Sequence, residues 1–114
     1  MLTVEALRGW GAKVDEGLGR CFGQEGFYLK LVGMELADAN FDKLDAAIAA
    51  GDVRAAFDAA HSLKGGTGNL SLTPVYEPVC VITEALRGQS TMPDISAAHA
   101  ELNAALAGLR ALAK

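Results

Sequence analysis

Aromatic residues are scarce, at 6% of 114 positions, so no core built on stacked rings is available. Strict alternation of apolar and polar residues is missing too, which leaves no strand signal. There are two cysteines, Cys21 and Cys80, far apart and in no paired motif. Neither a disulfide framework nor a zinc site with local ligand spacing has support, and both thiols are expected reduced and packed in a cytoplasmic protein. No apolar run approaches the length of a membrane span, and no charged-then-apolar leader is visible. Positive charge is not in excess: 10 Lys and Arg stand against 14 Asp and Glu, for a net charge of −4. Nucleic acid and anionic membrane surfaces, which are bound by basic stripes, are therefore not expected partners.

What remains is an alanine- and leucine-rich chain, 51% apolar, of a length that suits one domain with its own core. Apolar residues recur at spacings of three and four, the helical pattern. Leu2 to Trp10 is expected to be a short first helix capped by Thr3, with a second over about Ala12 to Cys21. Together, residues 1–22 form a lid whose core is Trp10 and Phe22, with Phe27 beside them. A long helix is expected from Gln24 to Ala50, with Leu31, Met34, Phe41, Leu44 and Ile48 as its core stripe and Leu29, Val32 and Leu36 as a partial second one. Gly51 stops it and Asp52 caps the next helix, Asp52 to Leu70. Thr73-Pro74 opens a third long helix to about Arg87, in which Pro78 calls for a kink or a late start. Pro93 opens the last, to about Ala113. The expectation is an all-α fold: an up-and-down antiparallel four-helix bundle over residues 24–113 under an N-terminal lid.

The chemistry concentrates in one run, Ala60-His61-Ser62-Leu63-Lys64-Gly65-Gly66-Thr67-Gly68-Asn69-Leu70. At about 100° per residue, Val53, Ala56, Phe57, Ala60, Leu63, Thr67 and Leu70 form the buried side, and His61 falls well away from it. Arg54, His61, Gly65, Gly68 and Leu72 share a neighbouring stripe, with Lys64 and Ser62 beside it. Each of the three glycines costs the helix roughly 1 kcal/mol relative to alanine, so their clustering calls for a reason beyond folding. Bare backbone lets another molecule approach closely. Imidazole titrates near neutral pH, and its neutral form can accept a phosphoryl group. Phosphoryl transfer is mostly positioning and charge stabilisation. The chain supplies an acceptor and one cation, but no aspartate cluster for magnesium, no Gly-rich nucleotide loop after a strand and no base beside His61. The remaining machinery is expected from a partner protein.

The run His61-Ser62-Leu63-Lys64-Gly65 resembles the signature of histidine-containing phosphotransfer (HPt) domains, a His-x-x-Lys-Gly core followed by small residues. Asp15-Glu16, Gln24-Glu25-Gly26-Phe27-Tyr28 and the Ala50-Gly51-Asp52 corner look like that family too. The resemblance implies a four-helix bundle whose His61 takes a phosphoryl group from a receiver-domain aspartate and passes it to another receiver. It gives Lys64 the charge-neutralising role and Gly65 and Gly68 the access role. It implies receiver domains of response regulators and a hybrid sensor histidine kinase as partners, with Mg²⁺ carried by the receiver; no cofactor or metal is expected on this chain, and a monomer is the default. Ser62, Arg54, Asp58, Leu36 and Leu72 complete the expected partner-binding set. The sequence departs from the family at Ser71, where glycine often follows the histidine by ten residues, and at Pro78, where a helix-friendly apolar residue is common.

Three other readings stand beside it. The chain can be the phospho-accepting domain of a larger histidine kinase, which turns on whether the native chain continues past Lys114. It can be an adaptor that binds a receiver without phosphotransfer, or a metal or haem bundle using His61 and His99. His99, next to Ile95, Leu102 and Leu106, is expected to be a core-edge histidine with a hydrogen-bond partner rather than a second acceptor.

Overall fold

The computed structural model describes all 114 residues. It holds seven α-helices and no strand: α1 Val4–Trp10, α2 Val14–Arg20, α3 Glu25–Leu36, α4 Asn40–Ala50, α5 Val53–Asn69, α6 Thr73–Leu86 and α7 Ser96–Leu112. No helix is long and apolar enough to cross a membrane. Helix α5 packs between α4 and α6, and α6 packs on α7. The molecule is elongated, 43 × 24 × 19 Å.

Local chemistry accounts for most boundaries. Thr3 Oγ1 accepts from the Ala6 amide at 3.1 Å and starts α1. Asp52 Oδ1 accepts from the Ala55 amide at 3.1 Å and starts α5, just after Gly51 takes the left-handed conformation that ends α4. Each side chain satisfies an amide that an open helix end would leave unpaired.

The long helix expected over 24–50 is two helices, broken at 37–39. Asp38 Oδ1 accepts from the Asn40 amide at 2.8 Å and from Asn40 Nδ2 at 3.0 Å. Such a side-chain turn competes with the helical bond and lets the chain leave the helix. The break changes which residues of the first half face inward. Tyr28 and Val32 are fully buried, whereas Met34 is 60% exposed and Leu31 only partly covered. The core stripe expected through Leu31 and Met34 is thus corrected to Tyr28 and Val32.

Two buried clusters hold the fold. The larger joins α4, α5, α6 and α7 through Leu44, Leu63, Val79, Ile82, Leu102 and their neighbours. The smaller joins α1, α2 and α3 to the α5–α6 turn and the end of α7, through Leu7, Val14, Tyr28, Val32, Leu72 and Leu109. Trp10 and Leu36 pack against both. Trp10 Nε1 donates to the Ala105 carbonyl at 3.1 Å, fastening α1 to α7. Of the aromatics expected in the lid core, Phe22 is 86% and Phe27 44% exposed. Phe22 sits in the turn after α2 with φ +58, which carries its ring outward. Cys21 is buried and Cys80 partly so, both as free thiols.

Pro78 causes no late start. Helix α6 begins at Thr73 and runs through it, with Pro78 buried. Its missing amide forfeits one bond, to the Pro74 carbonyl in the first turn. Helix α7 begins at Ser96 rather than Pro93, because Asp94 Oδ1 accepts from the Ser96 amide at 3.1 Å and its hydroxyl at 2.7 Å and so sets the first turn there.

Candidate functional site

Helix α5 buries Ala56, Ala59, Ala60, Leu63 and Thr67, and it presents His61, Ser62 and Gly65 to solvent. Thr67 is tolerated inside because its hydroxyl donates to the Leu63 carbonyl at 2.7 Å. The His61 ring stands on the open side and stacks on Phe57 one turn earlier, with centroids 5.8 Å apart and planes 11° from parallel. The Arg87 guanidinium lies 5.2 Å from the centroid of the same Phe57 ring. One face of the imidazole is therefore backed by an aromatic surface that is itself held by a cation.

His61, Lys64, Gly65 and Gly68 line one depression of about 680 Å³. Lys64 is 34% exposed and rests with Nζ 3.8 Å from Glu84 Oε1. Glu84 also receives Arg87 at 3.1 Å, and this guanidinium holds its carboxyl below the usual carboxylate range. An exposed pair of this kind is weak, so Lys64 is only loosely held.

The three glycines differ. A Cβ at Gly65 would meet nothing within 4 Å. At Gly68 it would lie 2.7 Å from the Tyr76 ring, and at Gly66 it would overlap the Glu35 carboxyl. Only Gly65 leaves open space, whereas Gly68 admits an aromatic ring of α6. The expectation that Gly68 leaves bare backbone is corrected accordingly. Glu35 Oε1 is buried with no hydrogen-bond partner. Burial, and then the nearby Asp38 charge, pushes this carboxyl up to about 7.

Other expected site residues fall elsewhere. Arg54 and Asp58 are exposed and pair along the helix at 3.5 Å. Ser62 and Asp58 line a groove of about 570 Å³ on the α4 side, away from the depression. Leu72 is 1% exposed, packed in the smaller cluster. It cannot meet a partner, because the chain turns at Ser71 and leaves the helical stripe on which it was placed. Leu36 is partly buried between the two clusters and forms no exposed ridge. His99 donates from Nε2 to Asp45 Oδ1 at 2.6 Å and lies at the edge of the core, as expected.

Three contributors do not stand out in the sequence: Phe57, Tyr76, and the α2 side chains in the same depression. Phe57 falls on the expected buried stripe, although its spacing of four before a histidine is itself a stacking signal.

An Hpt domain family model matches residues 34–112, so the chain belongs to the Hpt domain family. No curated protein and no solved structure matches it significantly. The family's chemistry is histidine phosphotransfer in two-component phosphorelays, and its members are carriers rather than kinases. The match begins inside α3. It contains the Ala50-Gly51-Asp52 corner but neither Asp15-Glu16 nor the Gln24–Tyr28 entry.

Proposed function

We propose that this protein is the phosphoryl carrier of a phosphorelay, with His61 as acceptor and donor. The observation that carries the reading is the exposed His61 ring beside the open backbone of Gly65, one turn from a loosely held lysine, in an Hpt domain. A receiver domain docks over this face and brings its phospho-aspartate and its own Mg²⁺. A neutral ring nitrogen of His61 attacks phosphorus in line. The N–P bond forms as the acyl P–O bond to the aspartate breaks, and the carboxylate leaves. Lys64 Nζ swings from Glu84 to neutralise the equatorial oxygens. The reverse reaction hands the group to a second receiver, and a hybrid sensor kinase stands upstream. Counting α3 and α4 as one broken bundle position, the fold is an up-and-down arrangement of four helices capped by α1 and α2. The carrier is a cytoplasmic monomer that binds no metal or cofactor.

The test uses a receiver charged with labelled acetyl phosphate. The wild-type chain should take up acid-labile label and His61→Gln none. Label on His61→Gln refutes the assignment. Lys64→Ala should slow transfer roughly tenfold or more with an unchanged circular dichroism spectrum, and an unchanged rate would remove its electrostatic role.

A further inference from the structure

The depression beside His61 has a second wall. Besides Tyr76 and Glu77 of α6, it is lined by Lys13, Glu16 and Arg20 from the start and body of α2. That helix lies outside the residues matched by the family. A partner seated over the depression therefore borders α2.

Arg20 is the most committed of the three. Its Nη1 donates to Ser71 Oγ at 2.7 Å, to the Asn69 carbonyl at 3.1 Å and to the Gly68 carbonyl at 3.4 Å. Ser71 holds φ +54, a left-handed conformation that favours glycine. Around it, the Ser71 carbonyl accepts from the Lys13 amide at 3.0 Å and the Leu70 carbonyl from the Tyr28 hydroxyl at 2.9 Å. Each carbonyl from Gly68 to Ser71 thus receives a donor from residues 13–28. Helix α5 is ended by the N-terminal segment, which lets a serine stand at a glycine position.

Only Nη1 is engaged in those bonds. Nη2 lies 4.0 Å from Glu16 Oε1, and the Arg20 side chain remains 45% exposed. On the α2 wall Lys13 and Arg20 stand against Glu16 alone, although the chain as a whole carries a net charge of −4. A local cationic surface beside the reactive ring suits an acidic rim on the partner, and a receiver that holds Mg²⁺ between carboxylates has one.

We propose that α2 is the second wall of the receiver dock and that Arg20 is its specificity-determining residue, with Nη1 closing the end of α5 and the outer guanidinium edge meeting the partner's acidic rim. The proposal rests on the His61 reading above and deepens it. Removing Arg20 acts on encounter rather than on the ring, so it affects a protein donor and not a small one.

The experiment measures transfer from an acetyl-phosphate-charged receiver across a range of chain concentrations. In parallel, phosphoramidate labels the chain directly: its P–N bond breaks, ammonia leaves, and the imidazole nitrogen takes the phosphoryl group. Arg20→Ala should lower the second-order transfer rate roughly tenfold, with a weaker salt dependence than wild type. Its saturating rate and its labelling by phosphoramidate should stay near wild type. Arg20→Ala/Ser71→Gly separates the two uses of the guanidinium, since glycine adopts the turn without a hydroxyl to be held. Transfer should stay low in the double variant while its melting temperature recovers. Recovery of transfer by Ser71→Gly, an unchanged rate in Arg20→Ala, or equal loss of phosphoramidate labelling each overturns the docking role. Absence of label from both donors in the wild-type chain would instead overturn the His61 reading itself.

Discussion

The open stretch of α5 around His61 and its packed last turn use glycine for opposite ends. Around His61 the surface is left open: a methyl group at Gly65 would touch nothing, and the imidazole is backed on one side only. One to three residues past Gly65, the surface is filled. Gly66 admits the Glu35 carboxyl, Gly68 admits the Tyr76 ring, and Arg20 and Tyr28 take up the last carbonyls. One residue type thus serves access at one point and packing at the next. Spacing along the helix does not separate the two, because the neighbour that fills the space comes from another element. The carrier needs an open ring on a firm base, and the clamped last turn is that base.

This contrast can be broken from its packed side first. Gly68→Ala should drive a Cβ into the Tyr76 ring and lower stability by about 1–3 kcal/mol, read as a fall in the chemical denaturation midpoint. Trimming the ring as well, in Gly68→Ala/Tyr76→Ala, should make the glycine substitution nearly silent. If Gly68→Ala is silent on its own, the ring is not what the glycine admits.

The buried carboxyl gives the next largest effect. Glu35 has a folded-state value of about 7, above its ordinary 4.5, so folding takes up a proton between those two values. The stability it contributes is full below about 4.5 and is lost as pH rises through about 7. Glu35→Gln should remove this slope and stabilise the chain at pH 8, by on the order of 1 kcal/mol after allowing for solvent screening at a half-open site. Denaturation midpoints at pH 5 and pH 8 check it, and a wild-type profile that is flat or rises with pH would contradict it.

On the open side, Gly65→Ala should raise stability by about 0.5–1 kcal/mol, since alanine favours helix and its methyl meets nothing. The same change should slow transfer from a receiver, because it puts a side chain where the partner's rim must pass. A stabilised variant with full transfer would show that bare backbone at Gly65 serves no access. The smallest effect is expected at Phe57, where Phe57→Leu keeps bulk but removes the stack. Transfer should fall a few-fold through loss of ring orientation, in line with the modest strength of aromatic pairs, and His61 ring resonances should broaden or shift.

Much of this was legible in the sequence because it is written in local patterns. Thr3, Gly51 and Asp52 announce helix ends, the spacing from Ala56 to Thr67 marks the buried side of α5, and the distance of His61 from that side gives its exposure. What stayed hidden depends on contacts between distant elements. Asp38 breaks a helix whose periodicity reads as continuous, because its turn with Asn40 outweighs the propensity of the alanine-rich flank. Leu72 shares a helical stripe with His61 only on paper, since the chain has already turned at Ser71. Phe22 looked like core by its type, but a left-handed backbone carries it outward. The α2 wall left no mark on the motif at all, because Arg20 lies 41 residues before His61 and meets it only through the end of α5.

The place of phosphorylation decides the function of this chain. Tandem mass spectrometry of the chain after charging by an acetyl-phosphate-loaded receiver, kept at alkaline pH to preserve the N–P bond, reads it directly. The phosphoryl group is expected on His61 and on no other residue. Modification at His99, or an unmodified His61 beside a competent receiver, would contradict it.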